Sequence, residues 1–205
     1  ERHARLAMVR ALGKIGDSRA VEVLIAALET PAWTPDYRRL VDDLAQLGGE
    51  RAIDPLIRLV QSKTYTYGSA AQAARVLLNH RADPRVLDGF IAALRLDAEF
   101  SNVEFSTLQA LIAGLAEIGD PRGAQSLLKW VSEMVALPAG RWDDHDENLS
   151  ETDQGVVFHV LKTEYRDAVN AIRKIGDPAT IAALDQIAAP ISSALTGSDQ
   201  LHTGN

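Results

Sequence analysis

Histidines and carboxylates are the residues of this 205-residue chain that could hold a metal or move a proton, because it contains no cysteine. The five histidines are His3, His80, His145, His159 and His202, and none is followed by Glu. Paired His-Glu metal ligands are therefore missing, and His145 alone among carboxylates does not make a zinc site. Acidic residues concentrate in one place: Asp143, Asp144, Asp146, Glu147, Glu151 and Asp153. Asp144, Asp146 and Asn148 alternate there as oxygen ligands do in a calcium loop. However, Leu149 stands where the sharp turn needs Gly, and Gly155 stands where the bidentate Glu belongs. The segment reads as a solvated acidic loop or as an electrostatic docking patch for a basic partner. No phosphate-binding loop, dinucleotide fingerprint or nucleophile elbow is present in the sequence. The chain therefore reads as non-catalytic, with no cofactor and no metal expected.

Composition narrows the class further. Hydrophobic residues make up 46% of the chain but aromatic ones only 5%, with 31 Ala and 25 Leu supplying most of the apolar content. Both are good helix formers, and 24% charged residues beside them describe an ordered chain. No apolar run approaches the length of a membrane span, and the N-terminus shows no cleavable signal pattern, so a cytoplasmic location is expected. The net charge of −7 lies mostly in residues 137–155, without whose six acids the remainder has 22 acidic against 21 basic residues. Nothing forms the basic stripe that a phosphate backbone needs, so no nucleic-acid partner is expected.

The elements that carry these residues are set by an internal repeat. Residues 11–28 read ALGKIGDSRAVEVLIAAL, and the pattern returns at 43–60, 77–94, 114–131 and 171–188. Its pivots are Gly16, Gly48, Ala82, Gly119 and Gly176, spaced by 32, 34, 37 and 57 residues. Each copy has the grammar of a helical hairpin. Apolar residues at helical spacing precede the pivot, as in Leu6, Val9, Leu12 and Ile15. The pivot glycine suits the left-handed position that closes a helix. Asp17, Asp120 and Asp177 are placed to cap the following helix, with Pro121 and Pro178 at its first position. The second helix then repeats an apolar face: Val21, Leu24, Ile25 and Leu28, then Ile53, Leu56, Ile57 and Val60. Ala82 replaces the glycine in the third copy, whose turn is expected to be the least ideal. Strand signals are absent.

A hairpin of this size cannot bury its apolar face alone, so neighbours must stack. The string I-G-D-x-R-A-V-x-x-L-I-A-A-L resembles a HEAT repeat, in the short bacterial form of the phycobilisome-lyase type. The resemblance implies an all-α fold, a right-handed α-α superhelix (α-solenoid) of about five hairpins, with second helices lining the concave face. It implies no chemistry, because the matched residues are those of packing and capping. The expected organisation is one domain over 1–205. Its hairpins lie at about 4–29, 36–61, 68–97, 102–136 and 153–189, with an acidic insertion at 137–155 and a tail at 190–205. HEAT-like DNA glycosylases need a cationic groove, and HEAT-repeat deoxyhypusine hydroxylases need His-Glu pairs; this sequence has neither. Arg19, Arg51, Arg85 and Arg122 recur at equivalent turns and are expected to pair between adjacent repeats.

Function in a repeat protein sits in what the copies do not share. Of eleven aromatic residues, Trp33, Tyr37, Tyr65, Tyr67, Phe100, Phe105 and Trp142 lie in or beside connections between repeats. Stacking would align these connections into a single aromatic ridge, a surface suited to an interaction hot spot; alternatively each ring closes the gap between repeats. Outward positions of the second helices are Glu22, Ala26 and Glu29; Asp54, Arg58 and Gln61; Asp88, Ala92 and Arg95; and Gln125, Lys129 and Glu133. That mixed face could accept a helix or an extended peptide, or equally be a solvated face. The expected function is a protein-protein interaction or scaffolding module with a protein or peptide partner. Binding residues would be Trp33, Tyr37, Tyr65, Tyr67, Phe100, Trp142, Asp143, Asp144, Asp146 and Glu147. The family label also implies an alternative, a bilin lyase-like subunit handling a tetrapyrrole and its carrier protein. A third reading is one domain of a larger regulatory protein, since the chain opens on Glu1 close to a repeat.

Overall fold

The computed structural model describes residue 11 and residues 20–29, 37–62, 68–94, 105–136 and 151–187. Among the described residues every regular element is helical and there is no strand. The helices are α1 (Ala20–Glu29), α2 (Tyr37–Gly48), α3 (Ile53–Gln61), α4 (Ser69–Leu77) and α5 (Pro84–Ala93). They continue as α6 (Phe105–Ile118), α7 (Pro121–Val135), α8 (Glu151–Ile175) and α9 over residues 178–187. Two compact units result, Glu1–Ile118 and Gly119–Asn205.

In the first unit α2, α4 and α6 pack successively in one layer, and α1, α3 and α5 in a second. Contacts from α1 to α2, α3 to α4 and α5 to α6 join the layers. This is the stacking of an all-α, HEAT-like solenoid, in which neighbouring hairpins share a core that none could form alone. The buried residues are those of the repeat register: Val21, Leu24 and Leu28 on α1, Ile53, Leu56 and Val60 on α3, Leu87 and Phe90 on α5. The facing layer contributes Leu40, Val41 and Leu44, then Leu77, then Leu111, Ile112 and Leu115. Ala70, Ala71, Ala73 and Ala74 are also buried, and their small side chains let α4 approach both α2 and α6 closely. Two glycines serve the same end. A Cβ at Gly114 would lie 2.5 Å from Cε2 of Phe90, and one at Gly89 would lie 2.8 Å from Cγ2 of Ile57. In the second unit α7 packs on α8. Ala124, Leu127, Trp130, Val131 and Met134 form the buried stripe of α7, at helical spacing.

The turns show how far the local grammar holds. Gly119 and Gly176 take φ of +74° and +81°, as their pivot positions predict. In the second copy the expectation shifts by one residue. Gly48 is right-handed, with φ −81°, and Gly49 takes the positive φ of +50°. Gly48 answers a packing demand instead, because a Cβ there would lie 2.8 Å from that of Ala52. A 3-10 turn over Gly49–Ala52 then leads into α3 without a side-chain cap. The third copy, lacking the glycine, tightens the end of α4 into a 3-10 turn at Leu78–His80. Gly16 and Asp17 lie outside the described residues.

Asp120 Oδ1 accepts from the Arg122 amide at 2.8 Å, with Pro121 opening α7. Asp177 Oδ2 accepts from the Thr180 amide at 3.0 Å and from the Thr180 hydroxyl. The third copy carries the same device, Asp83 followed by Pro84, which the pivot alignment passed over. Because a lost cap leaves helix-end amides unsatisfied, Asp120→Ala is expected to lower stability by about 1 kcal/mol. Asp120→Asn, which keeps the acceptor, is expected to lose much less. Urea unfolding monitored by circular dichroism checks both, and equal losses would contradict the capping role.

Candidate functional site

The exposed face of the second helices follows from helical geometry. With Val21, Leu24 and Leu28 turned into the core, Glu22 and Ala26 must point away from it, and both are exposed. The equivalent residues Asp54, Arg58 and Gln61 on α3 are exposed, as are Asp88 and Ala92 on α5. In the second unit Gln125, Lys129 and Glu133 are exposed on α7. The side chain of Glu29 and all of Arg95 lie outside the described residues.

Charges on this face are organised as a ladder between repeats. Arg51 pairs with Glu22 of the preceding hairpin. Arg85 Nη1 lies 3.1 Å from both carboxylate oxygens of Asp54, again one hairpin back. Arg122 lies 3.3 Å from Asp120 within its own turn. The expected pairing between adjacent repeats therefore holds at Arg51 and Arg85, while Arg19 lies outside the described residues. Gln61 Nε2 donates to the Gly89 carbonyl at 3.4 Å, tying α3 to α5 along the same edge. These pairs are mostly exposed, so screening limits their energetic worth, and register between hairpins is their clearer contribution. On the other layer Gln72 Nε2 donates to Asp42 Oδ1 at 2.7 Å, linking α4 to α2.

Arg85 also folds back on its own cap. Its Nη2 is 2.7 Å from Asp83 Oδ2, and its backbone amide donates to Asp83 Oδ1 at 2.9 Å. The Arg85 side-chain hydrogen bond, then its backbone amide, holds the Asp83 carboxyl below the usual range. The same hydrogen bond from Asp83, with the Asp54 charge, holds the Arg85 guanidinium above its ordinary value. Since the folded pKa of Asp83 is lowered, its contribution to stability is present above the unfolded value and lost as pH falls through the folded one. The native chain is therefore expected to exceed Asp83→Asn in stability at neutral pH, with the difference closing below pH ~4. Urea midpoints measured against pH test this, and a difference independent of pH would contradict it.

The sequence-derived binding residues fall largely elsewhere. Trp33, Tyr65, Tyr67, Phe100, Trp142, Asp143, Asp144, Asp146 and Glu147 lie outside the described residues. Tyr37 and Phe105 are the first residues of α2 and α6, and their side chains lie outside the described set. The structure thus brings the outward positions of α1, α3 and α5 onto one face within the first unit, whereas the side chains of the ridge aromatics all lie outside the described residues. The last hairpin, expected from about 153, is helical from Glu151, so α8 overlaps the acidic insertion 137–155 over residues 151–155. Acidic residues are favoured in the first turn of a helix, which is where Glu151 and Asp153 stand.

Other titratable groups are wholly or partly buried. Glu164 on α8 is fully buried. Its spacing of four and eight residues from the buried Ala168 and Ile172 is the signal that could have revealed this. Burial pushes the Tyr165 hydroxyl pKa up, against a lowering influence from Arg173. His80 is half-buried in the 3-10 turn after α4, whereas His3, His145, His202 and the side chain of His159 lie outside the described residues. Among the described residues no group of three or more His, Asp or Glu is placed to hold a metal ion. Among them, too, no helix is long and apolar enough to cross a membrane.

Residues 1–75 match the family model for HEAT repeats. That stretch includes α1, α2, α3 and most of α4, and so contains the Glu22–Arg51 rung of the ladder. No curated protein matches the chain.

Proposed function

We propose, from the match of residues 1–75 to HEAT repeats, that the chain is a non-catalytic interaction or scaffolding module. It binds a protein or peptide on the exposed face of its second helices, the face expected to be concave. The single observation that supports this reading most is the alignment of that face. Glu22 and Ala26, then Asp54, Arg58 and Gln61, then Asp88 and Ala92, are exposed at equivalent positions of the second helices of three successive hairpins. Their cross-repeat pairs hold the helices in register, so a partner would meet a preformed surface and lose less conformational freedom on binding. Small Ala26 and Ala92 leave room for a partner's side chains between charged groups that can orient it. Trp33, Tyr37, Tyr65, Tyr67, Phe100 and Trp142, with the acidic Asp143, Asp144, Asp146 and Glu147, are further binding residues in the same proposal. A basic partner segment would suit the acidic run.

Affinity capture from lysate, with three forms of the chain, tests the reading. The second form carries Ala26→Arg and Ala92→Arg; both positions are exposed and Arg is nearly as good a helix former as Ala, so folding is retained. The third replaces Trp33, Tyr65, Tyr67 and Trp142 by alanine and is checked for folding by circular dichroism. A protein captured by the native chain and lost by the second form is the expected result. Loss in the third form alone would move the site to the aromatic region. Retention of a coloured small molecule, with no protein captured, would contradict the module reading and favour tetrapyrrole handling.

A further inference from the structure

We draw no further inference here: the strongest candidate, the half-buried aliphatic row of Ile25, Ile57 and Ile91 along α1, α3 and α5, belongs to the face already described, and nothing in the structure shows what covers it.

Discussion

Phe90→Ala is expected to lower the stability of the chain by about 3–5 kcal/mol, a large part of the roughly 5–15 kcal/mol that holds a typical domain folded. The ring is fully buried on α5 and rests against the backbone of α6 at Gly114. Removing it forfeits transfer free energy and leaves a cavity, which α5 and α6, packed against α3 and α4, can close only in part. Gly114 supplies the diagnostic second measurement. Alanine there would ordinarily stabilise a helix by about 1 kcal/mol. With Phe90 in place, the new Cβ would stand 2.5 Å from a ring carbon that has no room to withdraw, so Gly114→Ala is expected to destabilise by about 1–3 kcal/mol. In the Phe90→Ala background the same change is expected to become neutral or stabilising. Urea unfolding of the four chains of this cycle measures the coupling. A Gly114→Ala effect of the same sign and size in both backgrounds would show that the ring and the glycine do not meet.

Trp130→Ala is expected to have the largest effect in the second unit, again about 3–5 kcal/mol. Trp130 is 2% exposed and sits at the centre of the buried stripe running from Ala124 to Met134 on α7. It is the bulkiest side chain of that stripe, on a helix that packs against α8. Trp130→Phe, which keeps an aromatic ring and most of the apolar volume, is expected to recover the greater part of the loss. Intact structure in Trp130→Ala, with an unfolding midpoint close to that of the native chain, would contradict its place in the core.

The contrast between these two residues and the ridge aromatics marks what was legible in the sequence. Phe90 sits at the position of Leu24 and Leu56 in the repeat register, and all three are fully or almost fully buried. Helical spacing sets the direction of a side chain, so a register recovered from five copies separates core positions from outward ones. The turn chemistry was legible for the same reason at Gly119 and Gly176, where the steric demand of a positive φ selects the residue type. It failed at Gly48 because two adjacent glycines serve two purposes, close approach to Ala52 and the left-handed turn at Gly49, and residue type alone does not say which is which. It passed over Asp83 because the pivot was sought at Ala82, where no glycine marks the turn.

The site was less legible than the fold. Exposure of Glu22, Asp54 and Asp88 followed from the register, but the partners of Glu22 and Asp54 required the spacing between hairpins. Those partners turned potential ligand-binding charges into rungs of a ladder. The start of α8 at Glu151 lies two residues before the hairpin start read from the sequence at about 153, inside a run whose acidic composition alone suits a loop or a first helical turn equally. Repeat residues encode stacking, whereas partner recognition depends on the shape of a surface that neighbouring repeats create together.

Equilibrium binding of a partner obtained by capture to the native chain and to the folded Ala26→Arg, Ala92→Arg variant tests the interaction-module reading most directly. If the exposed face of α1, α3 and α5 receives the partner, two arginines projecting from its small positions are expected to weaken binding at least about tenfold, equivalent to about 1.4 kcal/mol. Identical dissociation constants for the native chain and the variant would contradict binding on that face.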